Sequence, residues 1–145
     1  MALFTAKNLS RPPVTGGQAG VVVCNEGEYS LPDSLAQNDI VKLAHLPAGH
    51  KPVDAILEAD DLDDATALVL SVGIVNDDGD DLVASTNLID SSTVGQAGGV
   101  ARADTVSGLQ LAASTSDRVI GAKVVTAAGT PAAGKLRLKS LSVPA

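Results

Sequence analysis

Residues 66–75 read TALVLSVGIV, and their alternation sets the fold class. Leu68, Leu70, Val72 and Ile74 fall on one side of an extended chain, and Ala67, Val69, Ser71, Gly73 and Val75 on the other. A period of two is the spacing of a strand, whose successive side chains point to opposite faces. Larger aliphatics on one face and small or β-branched residues on the other describe a strand buried on its leucine side. Aspartates crowd both ends: Asp60, Asp61, Asp63 and Asp64 before it, Asp77, Asp78, Asp80 and Asp81 after it.

The same rhythm extends in both directions. Lys51–Asp60 (KPVDAILEAD) places Val53, Ala55, Leu57 and Ala59 on one face and Asp54, Ile56, Glu58 and Asp60 on the other. Ala19–Asn25 reads as a strand ended by Asn-Glu-Gly, and Asp39–Leu46 as one ended by Pro-Ala-Gly. Arg118–Thr126 and Lys135–Leu141 are two more, separated by the turn-forming residues 128–134. Thr105–Ala112 fits a further strand, and 95–99 a glycine-rich loop. Leu82–Val94 is mixed: Leu82, Thr86 and Ile89 suit a helical stripe, while the Ser and Thr content suits an irregular strand. About eight short strands with Gly and Pro turns imply an all-β single domain, a β-sandwich or jelly roll. Residues 19–145 form that domain, and residues 1–18, with Pro12, Pro13, Gly16 and Gly17, an extended N-terminal arm. The arm is either a frayed terminus or an anchor that docks on a neighbouring subunit through Leu3, Phe4, Leu9 and Val14.

Composition narrows the function classes. A chain of 145 residues holds one ordinary domain with a real core. Hydrophobic residues make up 45 %, yet there is one Phe, one Tyr and no Trp, so the core is aliphatic. A net charge of −7 repels phosphate backbones, which argues against nucleic acid as a partner. Scarce aromatics also count against glycan sites and base-stacking platforms. The lone Cys24 forms no internal disulfide, which fits cytoplasmic synthesis. No apolar run is long enough to span a bilayer, and the N-terminus lacks the apolar core of a signal peptide; no membrane partner is expected.

Chemical motifs are thin. Asp78-Gly79 is a favoured hairpin dipeptide, so the second acidic cluster reads as a turn. An EF-hand loop fails because Ile74 stands where the first ligand should be and no Glu follows Glu58. Asp77, Asp78 and Asp80 remain weak candidates for a cation site of another kind. The first cluster, Asp60 to Asp64, reads as a solvated connection. His45 and His50 flank a Pro-Ala-Gly turn and do not share a helix face, which argues against a zinc site. There is no Gly-x-Ser-x-Gly elbow, no phosphate loop, and no counterpart of the nucleotide motifs of small trimeric dUTP-hydrolysing β-proteins. Lys135, Arg137 and Lys139 share one face of their strand, suited to cross-strand pairing with acidic residues or to contact with an acidic partner. A non-enzymatic protein without a cofactor is expected.

Three segments carry a resemblance: HLPAGHKPVDAILEADDLDDATALVLSVGIVNDDGD (45–80), DSSTVGQAGGVAR (90–102) and DRVIGAKVVTAAGTPAAGKLRL (117–138). Over roughly residues 20–140 the chain resembles capsid cement or decoration proteins of short-tailed bacteriophages. The resemblance implies a jelly-roll fold and binding to the outside of an icosahedral shell. The implied partners are the major capsid protein and further copies of the chain, as a dimer or trimer; the implied location is the capsid exterior, after synthesis in the host cytoplasm. A virion-displayed receptor- or glycan-binding head domain is the alternative.

Overall fold

The computed structural model describes residues 1–10, 12–13, 20–31 and 35–145. Its strands are β1 (Leu3–Thr5), β2 (Val23–Leu31), β3 (Ile40–Leu46), β4 (His50–Ala59), β5 (Val69–Ile74), β6 (Ile89–Ser92), β7 (Gly99–Arg102), β8 (Arg118–Thr126) and β9 (Gly134–Pro144). One helical turn, α1 (Val106–Leu109), and 3-10 turns at Lys7–Ser10 and Val94–Gln96 complete the described elements. The strands form a five-stranded sheet in the order β1-β3-β8-β5-β6 and a four-stranded sheet in the order β2-β9-β4-β7. Pairing is antiparallel throughout except for β1, which runs parallel to β3. The protein is therefore all-β with two sheets, and the described residues form nine strands rather than about eight. β1 and β7, of three and four residues, are too short for alternation to reveal them.

The core lies between the sheets. Leu68, Leu70, Val72 and Ile74 are buried as their spacing predicts, in one cluster with Leu43, Leu46 and Ile120 of the first sheet and Leu57, Leu136 and Leu138 of the second. Each fully buried Leu or Ile is worth about 1.5–3 kcal/mol. The chain's only Phe and only Tyr meet at the rim of this core: the rings of Phe4 and Tyr29 lie 5.6 Å apart and tilted by 44°.

Three local expectations are corrected. β2 does not end at Asn25-Glu26-Gly27; it runs on to Leu31 because β9 pairs along its whole length, from Val23 opposite Ser142 to Leu31 opposite Gly134. Gly27 is buried opposite Leu138, while Glu26 and Glu28 point to solvent. In β4 a register shift between Pro52 and Asp54 breaks the alternation, so Val53 is exposed while Ala55, Leu57 and Ala59 are buried. The segment from Thr105 is α1 instead of a strand: the Thr105 hydroxyl accepts from the Gly108 amide at 3.1 Å and caps the turn.

Candidate functional site

The first ten residues pack on the domain's own sheet. β1 pairs with β3 through Leu3 opposite Ile40, Phe4 opposite Val41 and Thr5 opposite Lys42. The Ala6 amide donates to the Lys42 carbonyl at 2.9 Å, and Ala6 is buried. The Leu9 carbonyl accepts from His45 Nε2 at 3.3 Å. Of the four proposed contact residues, Phe4 and Leu9 are half-buried against their own domain and Leu3 is exposed at the free edge of β1. Val14 lies outside the described residues.

The outer face of the four-stranded sheet divides into two zones. One is a ladder of ion pairs: Glu28 meets Lys135 at 3.2 Å and Arg137 at 2.6 Å, Arg137 approaches Asp60 at 3.8 Å, and Lys139 meets Glu58 at 2.7 Å. Hydrogen bonds from Arg137 and Lys135 hold the Glu28 carboxyl below its usual range. The Glu28 and Glu58 carboxylates in turn raise Arg137 and Lys139. Glu28, Glu58, Arg137 and Lys139, with Lys7 and Glu26, line an open cleft of about 500 Å³. The cross-strand role expected for Lys135, Arg137 and Lys139 is thus what the structure shows. The second zone is more apolar. Cys24 stands opposite Leu141, and Val22 and Val53 are more than 40 % exposed; Leu141 in turn stands opposite Asp54, which pairs with Arg102.

The two acidic clusters have different fates. Residues 76–81 form a turn in which the Gly79 amide donates to the Asn76 carbonyl at 3.1 Å, with Gly79 at φ +76°. The Asn76 side chain ties it, donating to Asp80 Oδ1 at 2.7 Å and accepting from the Asp80 amide at 3.1 Å. Lys123 pairs with Asp81 at 2.6 Å and lowers its pKa. Among the described residues, no group of three or more His, Cys, Asp or Glu side chains is arranged to hold a metal ion, the weak candidates Asp77, Asp78 and Asp80 included.

The first cluster is only partly the solvated connection its composition suggests. Asp60, Asp61 and Asp64 are exposed, but Asp63 is 1 % exposed. Asp63 Oδ1 accepts from the amides of Ala65 (3.0 Å) and Thr130 (2.9 Å). Its Oδ2 accepts from Ala67 (2.9 Å), Leu68 (2.9 Å) and Gly129 (3.2 Å). Desolvation alone would raise this carboxyl; the backbone amides, which favour its ionised form, outweigh that and hold it well below the usual carboxylate range. Asp63 thereby ties the loop before β5 to the loop between β8 and β9. Composition concealed this role, because four neighbouring aspartates look alike until the second loop arrives. The same is true of Asp39, whose buried carboxylate holds the amides of Ala2 (2.7 Å) and Ala36 (2.9 Å).

His50 Nδ1 and Ser142 Oγ are 3.1 Å apart, and both residues are buried. An aliphatic two-sheet sandwich with buried carboxylates spent on its own backbone and an outer sheet face divided between ion pairs and apolar residues defines a small all-β structural module.

No protein-family model and no curated protein matches the sequence. Solved structures do. A chain of the capsid of Ralstonia phage GP4 is similar at 33 % identity and TM-score 0.88, covering 99 % of this chain and 99 % of its own. A chain of the cyanophage Pam1 capsid asymmetric unit is similar at 28 % identity and TM-score 0.67, covering 93 % of this chain and 94 % of its own. The chain belongs to the family of phage capsid proteins that the GP4 chain represents.

Proposed function

We propose that this protein is a capsid cement or decoration protein, a non-enzymatic structural component of the virion. It binds the outer surface of an icosahedral shell, contacts the major capsid protein and bridges capsid subunits as a homo-oligomer, a dimer or trimer. The observation that carries the reading is the end-to-end likeness to the GP4 capsid chain. The outer face of the four-stranded sheet supports it. Its apolar zone around Cys24, Leu141 and Val53 adjoins a charged zone, the pairing of apolar centre and polar rim that protein interfaces use. The exposed Leu3 edge, and the segment 1–18 to which it belongs, supply a second contact region. Among the described residues nothing favours a receptor- or glycan-binding head domain: the two aromatic rings such a site would use, Phe4 and Tyr29, pack against each other.

The test is to mix purified protein with shells of its phage assembled without it. Saturable binding at a fixed copy number, with a higher temperature of shell disruption, is expected. Val53→Glu should weaken that binding and leave the free protein's melting temperature within a degree or two, since Val53 is exposed. Folded protein that leaves such shells unbound rejects the reading.

A further inference from the structure

Asp39 stands at the entry to β3 and is 3 % exposed. Among the described residues no Lys, Arg or His side chain comes within ion-pair distance of it. Its partners among the described residues, the amides of Ala36 and Ala2, are neutral. Among the described residues this buried carboxylate is held by neutral donors and meets no counter-charge, and burial makes such a charge costly. Ala2 is fixed on both sides, since its carbonyl also accepts from the Ile40 amide at 2.9 Å. Met1, in contrast, is 63 % exposed.

We propose that this protein works with Ala2 as its first residue, and that Asp39 is the receptor for the α-ammonium created when the bond between Met1 and Ala2 is hydrolysed. One water is consumed: the Met1 carbonyl carbon takes the hydroxyl, the Ala2 nitrogen takes the proton, and at neutral pH a second proton makes it an ammonium. Any cleavage that leaves Ala2 first has the same result. The bond is reachable, because residues 1 and 2 are both exposed. The nitrogen already sits 2.7 Å from Asp39 Oδ1, so the ammonium forms a charge-assisted hydrogen bond without moving the chain. Ala2 itself is exposed. Processing thus supplies the missing counter-charge and fastens β1 over the edge of β3, closing an edge that would otherwise be open to other strands.

The charged and titratable groups on the flanking strands are Lys42 and His45 of β3 and, on β8, Arg118 opposite Leu46 and Lys123 opposite Ile40, the last engaged by Asp81. The experiment therefore compares chains that share every side chain. Protein beginning at Ala2, released from a cleaved fusion, is melted beside the same protein Nα-acetylated, from pH 6 to pH 10. The free amine should raise the folding equilibrium constant about fivefold at neutral pH, the difference between a charged and a neutral hydrogen bond. An ammonium that gains a partner has a raised folded pKa. Its contribution is therefore complete below the ordinary α-amino value of about 8 and vanishes as pH rises through the folded value. In Asp39→Asn the two chains should melt together. Equal melting of free and acetylated chains at pH 7 overturns the proposal, as does a difference that survives to pH 10 or in a folded Asp39→Asn. N-terminal sequencing of the protein from virions supplies a separate check: a chain that starts at Ala2 is expected, and a retained Met1 overturns the proposal.

Discussion

Replacing Phe4 by Ala tests whether the N-terminal segment is part of the fold. Phe4 is half-buried and packs on Tyr29 with ring centroids 5.6 Å apart. Truncating a fully buried Phe costs about 3–5 kcal/mol, and half-burial reduces that to about 2 kcal/mol, which includes the roughly 0.5–1.5 kcal/mol specific to an aromatic pair. A chain of this length should lose about 6 °C in Tm. The assay is urea unfolding followed by far-UV circular dichroism and by tyrosine fluorescence, which reports on Tyr29 alone because the sequence has one Tyr and no Trp. Both probes should shift to a lower midpoint with unchanged slope. Val106→Ala, at a position 71 % exposed, is the control and should move the midpoint by less than about 0.5 kcal/mol. If Phe4→Ala behaves like the control, the segment does not dock on its own domain and the reasoning fails.

The Asp63 hub predicts acid sensitivity. Its folded pKa is depressed, so its contribution is present above the unfolded value of about 3.9 and is lost as pH falls below it. Asp63→Asn should lower Tm at pH 7 by several degrees and flatten the fall in stability between pH 5 and pH 2; parallel acid limbs for the two proteins would show that the hub is not the cause. At Gly108, a Cβ would collide with the Asn87 carbonyl and come within 2.8 Å of Leu88 Cα. Gly108→Ala should therefore destabilise by about 1–3 kcal/mol, and a midpoint equal to wild type would refute that contact.

How far the molecule was legible depended on the range of the forces involved. Apolar runs bounded by turn residues located β3, β4, β5, β8 and β9, because both signals are written in neighbouring residues. The turn at Asp78-Gly79 was equally plain, because a residue at φ +76° is a local requirement that Gly meets. Thr105 shows the limit: its residues suit a strand, yet its hydroxyl finds the Gly108 amide and the Asn87 carbonyl and starts a helical turn. Val53 shows another, since one register shift against β9 turned a predicted core residue outward.

The sequence by itself determined that this protein is all-β with an aliphatic core, because strand period and side-chain volume are properties of residues and their neighbours. Which aspartates matter was decided by the tertiary structure. Asp60, Asp61, Asp63 and Asp64 are chemically identical and adjacent, and only the arrival of residues 129–130 makes Asp63 a buried hub. Asp39 becomes a receptor only because β1 returns alongside β3. A carboxylate's role depends on the donors that surround it, and here those donors come from segments distant in sequence that only folding brings together.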